Sequence, residues 1–352
     1  MTPLEALLIR QITATGPITI AQYMAACLLH PEHGYYTTRE PFGPTGDFTT
    51  APEISQMFGE LIGLCLAQNW LDQGAPAPFT LAELGPGRGT LMADLLRATR
   101  AVPGFHAAAQ VTLIEASPAL RARQRDALGH HPATWCDTVD DLSDGPLFLI
   151  ANEFFDALPI RQFTRHANGW AETVVGLHDD ALILGQTDPA PISQLASRLA
   201  DTTPGDIVEI CPLAPHFMST ISSRIATHGG LALIIDYGDW QSRGDTLQAL
   251  RAHRFVPVLE NPGQSDLTAH VDFAALAAHT PPCKTRYTTQ GALLDRLGLP
   301  QRSARLAASL GGPALQQHLA ATRRLTAPSK MGTLFKVLAV HAPDAPAPPG
   351  FP

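Results

Sequence analysis

Residues 79–91 read Phe79-Thr80-Leu81-Ala82-Glu83-Leu84-Gly85-Pro86-Gly87-Arg88-Gly89-Thr90-Leu91. An apolar run, Phe79 to Leu84, breaks into glycines at every second position, and a helix-competent segment, Thr90 to Arg100, follows. A buried strand that runs into a glycine turn and then a helix N-terminus is how an α/β sheet opens a nucleotide-shaped gap. Glycine serves there because the backbone turns sharply and a ligand approaches where a Cβ would intrude. The dinucleotide fingerprint G-x-G-x-x-G fails, because the third glycine comes one residue early. The phosphate loop G-x-x-x-x-G-K-[ST] is absent, so ATP hydrolysis has no support either.

Downstream the pattern alternates. A strand, Gln110 to Glu115, precedes a helix, Pro118 to Leu128. Trp135-Cys136-Asp137 reads as a short strand end, and Pro146 to Ala151 as a third buried strand. After residue 210 come a helix near Leu213 to Thr227, a strand Leu231 to Asp236, helices around Val271 to His279, Gln290 to Leu297, Arg302 to Ser309 and Pro313 to Leu325, and a last strand, Leu334 to Val340. This β-α-β-α rhythm predicts an α/β fold: a Rossmann-like, mostly parallel sheet with helices on both faces.

The predicted organisation has five parts. Residues 1–78 form an N-terminal helical and lid segment, with a turn presenting Tyr35 and Tyr36 to solvent and a long helix, Ile54 to Asp72, that points Met57, Leu61, Leu64 and Leu66 inward. Residues 79–160 form the cofactor-binding half of the core. Residues 161–210 read as an insertion: a hairpin, Val174 to Leu177 and Ala181 to Leu184 around Asp179-Asp180, plus a helix, Ile192 to Leu199. Residues 211–341 complete the core, and the Pro-rich stretch 342–352 reads as disordered.

Composition narrows the function. The 352 residues are 45% hydrophobic, enough for a sizeable core, and carry a net charge of −8. No basic stripe is present, which argues against nucleic-acid binding. Five dispersed cysteines without C-x-x-C predict reduced thiols. The opening residues lack the regions of a signal peptide, and no apolar run is long enough to cross a membrane, so a cytoplasmic location is expected. His30, His33, His253 and His270 have no metal-ligand spacing, and no metal is expected.

The spacing E-x-G-x-G-x-G, carried by Glu83, Gly85, Gly87 and Gly89, resembles motif I of class I S-adenosylmethionine (AdoMet) methyltransferases. In those enzymes the turn passes under the amino-acid part of AdoMet. Glu115 ends the next strand, where a carboxylate accepts from ribose hydroxyls. Asp137 is placed for the adenine amino group, provided its strand end borders the same cleft. Asn152-Glu153-Phe154-Phe155-Asp156 follows a buried strand, so Asn152 and Glu153 should face the reactive end of the cofactor. Upstream, the hydrogen-bonding groups around Phe48, Thr49 and Thr50 suit a lid over the cofactor, with Tyr35 and Tyr36 joining it.

Seven runs carry a wider likeness: Gly46 to Glu53, Glu83 to Thr90, Asn152 to Pro159, Ile235 to Gly238, Asp266 to Phe273, Thr289 to Gly291 and Met331 to Val337. Together they resemble the MidA-type methyltransferases, the group that includes the mitochondrial complex I assembly methyltransferase. The resemblance covers roughly residues 15 to 340. It implies AdoMet as cofactor, S-adenosylhomocysteine (AdoHcy) as product, and a protein arginine, on a respiratory complex I subunit, as acceptor. Arginine stays protonated and its lone pairs are delocalised, so it needs a carboxylate to draw charge from the attacking nitrogen. Glu153 is the first choice for that role and Asp156 the second, with Asn152 orienting either ligand. Phe48 and Phe154 would wall the cleft. Small-molecule methylation, or a non-catalytic AdoMet-binding chaperone, are the alternatives. The Val174–Leu184 hairpin would serve a possible homodimer.

Overall fold

The computed structural model describes residues 1–38 and 49–352. Seven strands, numbered within the central sheet, organise it: β1 (Phe79–Leu84), β2 (Ala109–Ile114), β3 (Ala133–Cys136), β4 (Leu147–Asn152), β5 (Gly230–Asp239), β6 (Lys284–Thr289) and β7 (Phe335–His341). Their spatial order is β6-β7-β5-β4-β1-β2-β3, and the two-residue strand Val271–Asp272 extends β5. The run from β5 to β3 is parallel throughout; β7 is antiparallel to both β5 and β6. Every residue of β1 and β4 is buried, because helices cover both faces of the sheet. That is why both are mostly apolar, β1 interrupted by Thr80 and Glu83 and β4 closed by Asn152.

On one face pack helices Gln56–Asp72 and Thr90–Thr99; on the other, Ala214–His228 and Phe273–Ala278. The long helix meets Thr90–Thr99 through Gly59 and Gly63, where an added Cβ would come within 2.8 Å of Asp94 and 2.7 Å of Leu95. That close-packed face turns Leu64 outward, to 44% exposure, against the inward position expected for it. It also draws Glu60 inside, where Arg97 and Arg302 satisfy its carboxylate at 2.7 and 2.8 Å.

The helices Pro3–Thr15 and Ile20–Leu29 each start on a capping box, Thr2 with Glu5 and Thr19 with Gln22. Between them Ile18–Thr19 forms a short strand that pairs with Val174 and Val175 of the strand Gly169–His178. The predicted hairpin is present, closing on Asp179 and Asp180, both left-handed, the requirement of a tight two-residue turn.

Three further expectations fail locally. Ile192 to Leu199 makes two short 3₁₀ turns, Ser193–Leu195 and Ser197–Leu199, since only Leu195 finds a core to enter. Tyr35 is fully buried in the N-terminal core rather than presented to solvent. The strand β6 lies at the sheet edge and needs no apolar run. Residues 342–352 lie against the protein: Phe351 packs on the core, and the Pro349 carbonyl accepts from the Cys65 thiol at 3.4 Å.

Candidate active site

The parallel register aligns the strand ends. Leu84 sits beside Ile114 and Ala151, Ile114 beside Cys136, and Asn152 beside Ile235. The loops that follow these strands therefore open at one level, beyond the carboxyl ends of the sheet. They line a cleft of about 720 Å³.

After β1 the chain turns through Gly85, Gly87 and Gly89, all left-handed at φ 57°, 52° and 81°. A Cβ on Gly85 would lie 2.7 Å from the Phe154 ring, so this glycine lets the two neighbouring loops touch. Glu83 is buried inside the turn; burial pushes its carboxyl up to about 8, and its Oε2 has no partner.

After β2, Glu115 lines the cleft and is half-buried, which raises its pKa. Its Oε1 accepts from the Ser117 amide at 2.8 Å. Its Oε2 accepts from Gln124 at 3.2 Å. Asp137, after β3, also borders the cleft but is mostly exposed, and pairs with Arg121 at 2.5 Å. Arg121 donates further to the Glu115 and Cys136 carbonyls at 2.6 and 3.1 Å, and so clamps the two loops together.

After β4, Asn152 is buried and donates to Glu153 Oε1 at 3.2 Å, while its own Oδ1 is unpartnered. Glu153 is left-handed at φ 51°. Its amide donates to the Ile235 carbonyl at 2.9 Å, and its Oε1 accepts from the Ala51 amide at 2.9 Å. Asp156 is buried with Oδ1 unpartnered. Burial pushes Glu153 up to about 7 and Asp156 to about 6. Beneath them lies Asp236, fully buried within β5. Its Oδ2 accepts from the amides of Phe154, Phe155 and Asp156 at 3.2, 3.0 and 3.2 Å, and its Oδ1 from Tyr237 at 2.9 Å. Burial and the Asp156 and Glu153 carboxyls push Asp236 up, against four amides that favour its ionised form.

A family model described as S-adenosyl-L-methionine-dependent methyltransferase matches residues 61–288. The chain is 35% identical to the protein arginine methyltransferase NDUFAF7, mitochondrial, of Rattus norvegicus, over 97% of this chain and 84% of that protein. The human protein of the same name is 34% identical over 97% and 83%. A Burkholderia thailandensis crystal structure bound to S-adenosyl-homocysteine superposes with a TM-score of 0.85 at 29% identity, covering 99% and 93% of the two chains. The chain belongs to the MidA-type AdoMet-dependent methyltransferases.

It is an AdoMet-dependent methyltransferase with the Rossmann-like fold its glycine turn announces. The expected cytoplasmic location does not stand, because the curated relatives are named mitochondrial. That expectation leaned on reduced thiols and on the character of the opening residues, and thiols stay reduced in any reducing compartment. Among the described residues no helix is long and apolar enough to cross a membrane.

The cleft suits the cofactor. AdoMet brings an ammonium, a sulfonium, ribose hydroxyls and an adenine amine, all cations or donors. Buried acceptors at Glu83 Oε2, Asn152 Oδ1 and Asp156 Oδ1 lack partners and lie in this cleft. Thr50 lines it as well; Thr49 does not, and spends its carbonyl on Arg324 at 3.3 Å. Phe48 lies outside the described residues. Phe154 walls the cleft, and of the two tyrosines only Tyr36 reaches it, its hydroxyl donating to Asp266 at 2.8 Å.

Sequence reading missed two residues and the task of a third. Gln124, fully buried, donates to the Gly87 carbonyl at 2.8 Å and to Glu115, and accepts from Trp135. Arg121 and Gln124 share an ordinary-looking polar helix, Pro118–Leu128, that gave no signal. Asp236 was visible as a polar strand end, but its task depends on a loop some 80 residues away.

Proposed function

We propose that this chain methylates an arginine side chain of a protein, and that the protein is a respiratory complex I subunit. The observation that carries this is the pair of carboxyls just after β4, half-buried Glu153 and buried Asp156, which both line the cleft, Asp156 with an unpartnered Oδ1. The names of the curated relatives support the acceptor; the family resemblance supports the complex. When bound, AdoMet supplies an electrophilic methyl group on sulfur. Glu83, Gly85, Gly87 and Gly89 hold its amino-acid end, Glu115 accepts from the ribose, and Asp137 accepts from the adenine amine. Thr50 borders the site.

Glu153 and Asp156 pair the guanidinium at two points and draw its charge from the attacking nitrogen. The bonds from Ala51 and Asn152 to Glu153 Oε1 leave Oε2 for this contact. A carboxyl near pKa 7 is also poised to take the proton that the nitrogen loses. Asn152 orients the methionine part or the acceptor. The hairpin spanning Val174 to Leu184, with Ile183 and Leu184 exposed, offers a surface to the substrate protein or to a second copy.

Mass spectrometry of complex I subunits from a deletion strain tests the reading. Dimethylarginine on one subunit should vanish and return when the gene is restored. An unchanged methylation pattern would reject it.

A further inference from the structure

We infer that the mouth of the cleft is an apolar collar that seats an extended segment of the acceptor protein, with bulky apolar side chains beside the methylated residue. This rests on the arginine reading above. Leu29, Leu213, Phe255 and Leu334 are 54%, 44%, 73% and 45% exposed, and all four line the cleft. They come from four separate places: the end of helix Ile20–Leu29, the residue before helix Ala214–His228, the strand Arg254–Val256 and the residue before β7. Single exposed leucines are ordinary on a protein surface. Four large apolar side chains converging on one opening are a contact site.

Phe255 is held out deliberately. The strands Gln248–Arg251 and Arg254–Val256 form a hairpin whose turn residues, Ala252 and His253, are left-handed at φ 50° and 61°. Such a turn fits the twist of the flanking strands and keeps the hairpin stiff. Leu250 is the cross-strand partner of Phe255 and lines the cleft with it. Directly paired residues project to the same face, so together they form one apolar wall.

Charge decides what enters below the collar. Among the described residues that line the cleft there are seven carboxyls and two guanidinium groups. One of the two, Arg88, already faces Glu53 at 3.7 Å. The depth therefore attracts a cation, while the mouth rewards apolar burial. A small cationic molecule would reach the floor without touching the mouth. An arginine within a chain, flanked by residues such as leucine or phenylalanine, would use both.

The test uses the full chain saturated with AdoHcy and two dye-labelled peptides of equal length. One carries Leu-Phe-Arg-Leu-Phe at its centre, the other Gly-Ser-Arg-Gly-Ser. Anisotropy titration should show the apolar-flanked peptide binding roughly tenfold tighter. The Leu29→Ser/Phe255→Ser double variant should erase that preference while keeping its melting temperature and AdoHcy affinity, since both side chains are exposed. Equal affinities in wild type, or a preference that survives the double variant, would overturn the collar. Replacing the central arginine by glutamine separates the two ideas: unchanged affinity would remove the arginine reading and leave the collar standing. If the substitutions instead abolish self-association in sedimentation, or flotation with phosphatidylcholine–cardiolipin vesicles, with no effect on the peptides, the collar belongs to another occupant and the inference fails.

Discussion

The turns after β1 and β4 lie on neighbouring strands, and both need left-handed backbone. After β1 three glycines provide it, and the space beside Gly85 takes the Phe154 ring of the neighbouring loop. After β4 it falls on Glu153, whose Cβ makes that conformation cost roughly 1–2 kcal/mol. Asp236 offsets the cost by gathering the three amides that follow. One turn carries no side chain at its glycine bends and the other holds a carboxyl in place. A cofactor needs room for its backbone-like amino-acid end, whereas chemistry needs a fixed side chain, and strain concentrates where the side chain must be fixed.

The largest effect should come from filling the glycine turn. Gly85→Val forces a side chain into the Phe154 ring on a left-handed backbone, and calorimetry should find AdoMet binding lost. Undiminished affinity would mean that the glycines of that turn serve something else. Next is the turn after β4. Glu153→Gln should keep AdoMet affinity and lower kcat roughly 100-fold or more; a fully active variant would remove Glu153 from the chemistry.

The same residue sets a pH profile. Below its raised pKa each carboxyl is protonated and cannot pair a guanidinium. Wild-type kcat/KM should therefore rise with pH through about 6 to about 7, as Asp156 and then Glu153 ionise, and level off above. In Glu153→Gln the residual rise should depend on Asp156 alone and sit near 6. A profile identical to wild type would show that Glu153 does not titrate in catalysis.

Asp236→Ala acts on the support beneath. It strips the acceptor from three loop amides, and denaturant unfolding should show a loss of about 3 kcal/mol together with reduced kcat. Unaltered stability would mean the loop holds its shape without Asp236. The smallest effect is expected at Arg121→Ala. Its pair with the largely exposed Asp137 is screened by solvent, so AdoMet affinity should fall only about two- to fivefold.

The glycine turn was legible because its signal is local. Strand, glycines and helix start are consecutive, and Gly85, Gly87 and Gly89 do in three dimensions what they declare in one. Glu115 and Asp137 were legible for a related reason: parallel strands in register deliver their last residues to one edge, and both border the cleft. Arg121, Gln124 and the floor role of Asp236 were not, since nothing near them in the chain distinguishes them from surface polar groups. Leu64 misled for the opposite reason. Its helical spacing fits an inward face, but Gly59 and Gly63 decide which face packs, and that decision needs the partner helix.

By itself the sequence determined an AdoMet-type α/β sheet, its glycine turn, and the acids at its strand ends. The sheet, the turn and the strand-end acids follow from hydrophobic periodicity and local backbone chemistry, and AdoMet from the resemblance of the E-x-G-x-G-x-G spacing to the class I motif. Only the tertiary structure decided that Glu153 takes a strained conformation over Asp236, that Arg121 and Gln124 lock the cofactor-facing loops, and that four distant apolar residues ring one mouth. Those features are made by side chains far apart in the chain, and burial, pairing and convergence have no one-dimensional signature.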